Sequence, residues 1–330
     1  MRLERLDPAK IDWTHLDGFD DRVLFQTREW LDFVVAGQRA EPVVAAVADG
    51  EDTVGYFTGL VVRRAGMRIL GSPLPGWTTA SMGFNLKHGS DRRRAAAALP
   101  AFAFRELGCV HLELKDRRLD AGALDGLGYT ASPTLTFELD LTRDHDAIFG
   151  GMTSACRRAI RKSEKEGVVV EEADGEGFAD EYYAQLVEVF ARQGLRPTYG
   201  VERVRQLIRF LEPTGRLLLL RARSSEGEML ATGLFPAFNG VAYFWGGASR
   251  RESQSLRPNE AILWHAIRRW KSRGMETLDF GGGGEYKRKY GVTELWQPHF
   301  RRSRWAAVSL LREGARHAFA LRQRFVTGRA

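Results

Sequence analysis

The chain is 330 residues long, room for two domains with a core each. Its 44% hydrophobic and 28% charged residues exclude a disordered or fibrous chain, and two distant cysteines, Cys109 and Cys156, exclude a disulfide framework. The net charge of +7, carried mostly by Arg, favours anionic partners such as nucleotides, CoA, RNA or a membrane surface, with plain solubility as the other reading.

In chain order, "TREWLDFVVAGQ" reads as a helix capped by Thr27. "PVVAAVAD" and "TVGYFTGLVVRR" read as a hairpin, and "ILGSPLPGWTTASMGFN", dense in Gly, Pro, Ser and Thr, as a loop. Helical "DRRRAAAALPAFAFRELG" follows, then strand "CVHLEL", a short helix and strand "TLTFELDL". Near residue 140 the order starts again. "TSACRRAIRKSEKEG" is a helix capped by Thr153 or Ser154 and ended by Gly167, and "VVVEE" is a strand. "GFADEYYAQLVEVFARQG" sets Phe178, Tyr182, Leu186 and Phe190 on one helical face, and "VERVRQLIRFLE" is a further helix. "RLLLLRAR", "EMLATGLFPAF" and "VAYFWGGAS" are strand-like. A helix runs from Pro258 to just before Gly274 with the stripe Ile262, Leu263, Ala266, Ile267 and Trp270. Strand "ETLDF", the loop "GGGG", short helix "EYKRKYG" and strand "HFRRSRWAAV" close the second half, and "LLREGARHAFALRQRF" reads as a basic amphipathic helix. The halves share an order of elements without a sequence repeat. Helices alternating with hairpins indicate a mixed α/β or α+β sheet.

The glycine loop before "EYK" carries the chemistry worth testing. Four glycines permit positive φ and close approach of a ligand to the backbone. Neither a Rossmann fingerprint nor a Walker motif is present around them. Tyr286 can pass a proton to a leaving group, and Lys287 can stabilise an oxyanion. No histidine has metal-ligand spacing, so no metal is expected. The cysteines sit in apolar runs as packing residues, and no G-x-S-x-G elbow exists. Arg157, Arg158, Arg161, Lys162 and Lys165 give the helix after Thr153 a basic surface. It reads either as a solvated face or as a salt-sensitive RNA contact. No apolar run reaches the roughly 20 residues of a membrane span, and "MRLERLDPAK" lacks a signal-peptide core, so a cytoplasmic protein is expected.

Five pieces across about residues 145 to 300 resemble, in order, the FemAB/FemX aminoacyltransferases and related acyltransferases of the GNAT superfamily. They are "RRAIRKSEKEGVVVEE", "ARQGLRPTYGVERVRQL", "GEMLATGLFPAFNGVAYFWGGAS", "LRPNEAILWHAIRRWKSRGMETLDFGG" and "EYKRKYG". The first half is similar only through "TREWLDFV" and its element order. The resemblance implies two tandem GNAT-like domains, 1–140 and 141–310, each a mixed sheet flanked by helices, followed by a basic helix over 311–330. It implies transfer of an aminoacyl or acyl group from aminoacyl-tRNA or acyl-CoA, with no tightly bound cofactor. The acceptor would be the amine of a cell-envelope precursor or a peptide-like metabolite, held in a groove involving both domains. tRNA is then a partner on the aminoacyl reading, and no DNA contact is expected.

By the same resemblance Lys287 and Tyr286 lie at the reacting centre, with Tyr290 assisting proton transfer. Asp279 and Glu285 are the nearest carboxylates for a general base. Arg196 would hold acceptor phosphate, Tyr243 and Trp245 would line the groove, and Gly282 and Gly283 would form its floor. Arg250, Arg251 and Arg257 sit where a phosphate-bearing donor arrives. The family's first-domain lysine is missing from "EWLDFVVAGQ". The CoA-cradling Q/R-x-x-G-x-G/A loop is missing from "SRRESQSLRPNEA". These departures keep two further readings open: a non-catalytic binding protein for an anionic precursor or RNA, and an acetyl-CoA-dependent N-acetyltransferase acting on a small amine.

Overall fold

The structure is a computed structural model and describes residues 1–175, 177–312 and 314. Among the described residues, 1–134 with 296–312 form one compact unit and 135–295 a second. In chain order the elements are β1 (Arg2–Leu6), α1 (Trp13–Asp17), α2 (Arg28–Gln38), β2 (Glu41–Asp49), β3 (Asp52–Arg64), β4 (Met67–Ser72), β5 (Gly83–Leu86), α3 (Arg92–Ala101), β6 (His111–Leu114) and β7 (Thr130–Asp140). They continue as α4 (His145–Gly151), α5 (Ser154–Lys165), β8 (Val169–Ala173), α6 (Gly177–Ala191), α7 (Val201–Leu211), β9 (Leu217–Arg223), β10 (Met229–Phe238), β11 (Val241–Tyr243), β12 (Gly246–Ser249), α8 (Pro258–Ser272), β13 (Thr277–Asp279) and β14 (Thr293–Ser303). The mixed α/β class expected from the sequence is the class observed.

The first unit is built on the order β1-β2-β3-β4-β6-β14, with β5 added to β3. β4 and β6 run parallel and the other pairs antiparallel. Val43, Phe57, Leu70, Leu99, Phe102 and Leu112 fill its core. Thr27 caps α2 as its sequence predicts, accepting from Trp30 N at 3.4 Å. Inside α3, Pro100 has no N–H for the carbonyl of Ala96. The Tyr129 hydroxyl donates to that oxygen instead, at 2.8 Å. The helix then widens into a π-helical turn over Phe102–Glu106.

The second unit follows β7-β13-β11-β10-β9-β8, with β12 paired to β10. Only β11 and β13 run parallel among its ladders. α8 lies on this sheet through the predicted stripe of Ile262, Leu263, Ala266, Ile267 and Trp270, all buried. Thr153 caps α5, accepting from Cys156 N at 3.3 Å.

Four local readings need correction. "ILGSPLPGWTTASMGFN" is a loop only in its middle, because Ile69–Ser72 completes β4 and Gly83–Asn85 belongs to β5. The first pairs with β3 across a tight turn and with the distant β6, and the second pairs with the start of β3, some way back in sequence. "VAYFWGGAS" is two strands, broken at Phe244 and Trp245. No helix forms between β6 and β7, where the chain makes successive turns. The last strand starts at Thr293 rather than near His299, and its segment from Trp296 folds with the first unit, pairing Phe300–Ser303 with β6. The predicted basic helix over 311–330 falls largely on residues 313 and 315–330, outside the described residues. Among the described residues no helix is long and apolar enough to cross a membrane.

Candidate active site

The break between β11 and β12 opens a cavity of about 600 Å³ in the second unit. A Cβ at Gly246 would stand 2.4 Å from the Tyr182 hydroxyl oxygen, so only glycine admits this close passage. Phe244, Ile262 and Leu263 give the cavity an apolar side, and Thr232, Ser249, Asn259 and Glu260 a polar one. Tyr286, Lys289 and Tyr290 come from the 3-10 turn Glu285–Tyr290 and close it. That turn is held firmly at its end. Lys289 O accepts from Thr153 N at 2.9 Å, and a Cβ at Gly291 (φ 75°) would lie 2.6 Å from Gly151 O.

The chemistry of the cavity centres on Glu260, Lys289 and Tyr290. Glu260, in the first turn of α8, is buried, and its Oε1 accepts from Lys289 Nζ at 2.7 Å. Lys289 is partly exposed and sits 5.3 Å from the centre of the Tyr290 ring and 5.9 Å from that of Tyr286. Tyr290 is fully buried and stacked on Phe280 at 5.5 Å, yet its hydroxyl has no hydrogen-bond partner. Burial pushes its pKa well above the ordinary 10, so the phenol keeps its proton. A second unmatched donor lies close by. Thr232 Oγ1 donates to Gln185 Oε1 at 2.7 Å, and the buried Gln185 Nε2 is left without a partner. Buried polar atoms without partners are costly, and of these two residues Tyr290 lines the cavity while Gln185 lies behind Thr232.

The glycine loop has a different task. Gly281, Gly283 and Gly284 take φ near +70 to +79°, and a Cβ on Gly282 would meet Leu135 O at 2.6 Å. The turn is tied from below by Lys287. Its buried Nζ donates to the carbonyls of Phe280 (2.6 Å), Gly281 (3.2 Å) and Gly282 (2.9 Å). Burial lowers the Lys287 pKa to about 8, against the opposing charge of Asp279. Asp279 Oδ1 in turn accepts from Thr136 Oγ1 at 2.5 Å and Gly281 N at 2.7 Å.

Of the residues picked out in the sequence, the structure brings Tyr286 and Tyr290 to the cavity, together with Arg251. Lys287 lies behind the loop with all three N–H groups engaged, which leaves none for an oxyanion. Asp279 has its hydrogen-bonded oxygen committed to the loop, and Glu285 is exposed and paired with Arg288, so neither carboxylate borders the cavity. Tyr243 is buried on β11, and Trp245 packs on Tyr199 with ring centres 5.5 Å apart. Arg196 and Arg250 are exposed in loops, and Arg257 is the exposed, left-handed residue before α8. Gly282 and Gly283 shape the loop without lining the cavity. Glu260 and Lys289 were not singled out in the sequence. One signal was available for the first, an acid in the first turn of a helix whose apolar stripe faces inward.

Residues 152–290 match the family model of the acetyltransferase (GNAT) domain. The chain contains a GNAT acyltransferase domain. The match starts two residues before α5 and ends at Tyr290, so it takes in every residue of the cavity. The chain is similar in fold to FemX, at 15% identity over 93% of this chain and 99% of that one, with a TM-score of 0.76. It is similar to L-PGS from Bacillus licheniformis at 13% identity over 93% and 96%, with a TM-score of 0.58. A tandem GNAT protein from the clavulanic acid biosynthesis pathway aligns at 15% identity over 92% and 98%, with a TM-score of 0.56. At these identities the likeness is one of fold, and it is the tandem GNAT fold that the sequence resemblance led us to expect. No curated protein sequence matches the chain.

Proposed function

We propose that this acyltransferase moves an aminoacyl group from aminoacyl-tRNA onto an amine in the cytoplasm. The acceptor would be a cell-envelope precursor or a peptide-like metabolite. The observation that carries the reading is the cavity inside the GNAT domain, walled by the pair of buried Glu260 and partly exposed Lys289 and by the unpartnered phenol of Tyr290. The attacking amine and the activated carbonyl would meet there, and holding them together supplies much of the rate. Lys287 contributes by fixing the carbonyls of residues 280–282, and the Tyr290 phenol donates a hydrogen bond to the leaving oxygen.

Two points favour an aminoacyl donor. The loop into α8 has no CoA-cradling glycines, and it forms instead a 3-10 turn over Glu252–Leu256 followed by Arg257. FemX, whose fold the chain shares over nearly its full length, supports the same choice. The family model is that of an acetyltransferase domain, and this favours acetyl-CoA as the second reading. Calorimetric titration with acetyl-CoA and CoA separates them. The aminoacyl reading expects no heat at millimolar ligand and transfer from charged tRNA to an amine acceptor. Micromolar binding, about −8 kcal/mol, would assign acetyl-CoA as donor instead.

A further inference from the structure

We infer that Lys289, and not Lys287, is the cation that meets the oxygen of the tetrahedral intermediate, with the buried Glu260 as its counter-ion and as the proton acceptor for the attacking nitrogen. The inference rests on the acyl-transfer reading and names the groups that would perform it.

Two lysines two residues apart face different surroundings. Lys287 Nζ has three N–H groups and three backbone carbonyls within 3.2 Å, so its donors are saturated. Lys289 lines the cavity and has one hydrogen-bonded partner, Glu260, which leaves two donors free. Glu260 Oε2 has no hydrogen bond, so the carboxylate can still receive a proton. The other cations on the cavity wall are Arg192, paired with Glu188, and Arg251, on an exposed loop. Neither of these is buried against a carboxylate. A buried ion pair is a poor device for stability, because desolvation of both ions offsets their attraction. Preorganised charge beside a reacting carbonyl is what such a pair can offer. The backbone supports this use, since the Thr153 bond to Lys289 O and the Gly291–Gly151 contact fix where the side chain starts.

The step balances as follows. The amine nitrogen forms a bond to the ester or thioester carbon, and the π pair moves to oxygen, where Lys289 donates two hydrogen bonds. The nitrogen gives its proton to Glu260 Oε2. The oxyanion pair re-forms the carbonyl, and the C–O or C–S bond breaks with its electrons on the leaving atom. That atom takes the proton from Glu260, so no net proton is consumed and both side chains return to their starting state.

The test uses the full chain with Lys289→Met, Lys289→Arg and Glu260→Gln, and two ligand probes. Ethylphosphonate monoester carries a tetrahedral anion, and propionamide is its neutral planar counterpart. Wild type is expected to bind the phosphonate at least tenfold more tightly than the amide, and Lys289→Met to lose that preference. Transfer to hydroxylamine from aminoacyl-tRNA or acetyl-CoA should fall about a hundredfold in Lys289→Met, be partly restored in Lys289→Arg, and fall in Glu260→Gln. Should Lys289→Met leave Glu260 unpaired and unfold the chain, the Lys289→Met/Glu260→Gln double variant removes both charges and takes its place. A Lys289→Met chain that keeps the phosphonate preference and wild-type transfer would overturn the inference and leave acyl transfer standing. So would a wild type that transfers but shows no phosphonate preference. A folded wild type that transfers from neither donor would overturn the acyl-transfer reading itself and this inference with it.

Discussion

The two units share an order of elements, and each leaves some buried polar atoms without partners, Asp21 Oδ1 and Thr58 Oγ1 in the first and the Tyr290 hydroxyl and Gln185 amide in the second, but their buried charges are placed differently. In the first unit they bind one another. Arg22, almost wholly buried, donates to Asp17 Oδ1 (2.7 Å), Asn85 Oδ1 (3.1 Å) and Gln26 O (2.6 Å). Arg92 bridges Asp21 and Asp116, and fully buried Glu113 meets His111, His299 and Arg312. In the second unit the Glu260–Lys289 pair stands on the wall of a cavity beside Tyr290. Charges bound to one another hold a fold, whereas a charge pair on a cavity wall is open to a ligand.

The sharpest way to break this comparison is Glu113→Ala. It strands two imidazoles and a guanidinium in the first unit, at a cost of about 3–5 kcal/mol, read by denaturant unfolding. Acid should act on the same cluster. Burial alone would raise the Glu113 pKa, but the close approach of His111 and His299 and the charge of Arg312 hold it well below the ordinary 4.5. Burial also lowers His111 from 6.5. For both groups the unfolded state binds its proton more readily, so stability is lost as pH falls. The loss starts below 6.5 through His111 and steepens below 4.5 through Glu113. Glu113→Ala should abolish the steeper phase. A cost under about 1 kcal/mol would mean that the first unit does not depend on its charge network.

Lys287 is a saturated group in the open unit, and it sharpens the comparison next. Its pKa of about 8 lies below the ordinary 10.5, so it is charged at pH 7 and holds three carbonyls. As pH rises through 8 the ammonium loses a proton and the loop loses a tie, so turnover should fall. The unfolded chain keeps that proton up to 10.5, so between 8 and 10.5 stability rises with pH while turnover declines. Lys287→Arg stays charged throughout. It should remove the falling limb and lower turnover about tenfold, since a planar fork fits three converging carbonyls poorly. A wild-type profile flat to pH 10 would dissociate the loop tie from turnover.

Much of this architecture is readable from local chemistry. Thr27 and Thr153 at helix starts, Pro258 and Gly274 around α8, and the stripe on that helix act within a turn or two of themselves. β4 and β5 were hidden because Gly71, Ser72, Pro73 and Gly83 carry turn chemistry, while the bonds that make strands of their neighbours come from β3. The tandem GNAT fold followed from five pieces in their order, and the cavity tyrosines from the last of them, "EYKRKYG". Glu260 and Lys289 stayed hidden because 29 residues separate them, and each alone looks like an ordinary surface charge. The engagement of Lys287 was equally hidden, since its partners are backbone carbonyls that no side-chain pattern records.

The smallest expected effect separates the units most directly, because the same substitution is made in each. Tyr129→Phe removes the hydroxyl that donates to Ala96 O, the carbonyl left open by Pro100. That oxygen would then be buried without a donor, and the first unit should lose about 1–2 kcal/mol with the GNAT domain unaffected. Tyr290→Phe removes a hydroxyl that has no partner. Its ring stays stacked on Phe280 and beneath Lys289, because neither contact involves the oxygen. Stability should therefore hold or rise by up to about 1 kcal/mol. If the phenol serves the leaving group, turnover should drop severalfold at the same time. Unfolding curves and transfer rates of the two variants provide the check. Equal losses of stability in both would show that the Tyr290 hydroxyl is held like that of Tyr129, and the cavity would lose the open phenol proposed to serve the leaving group.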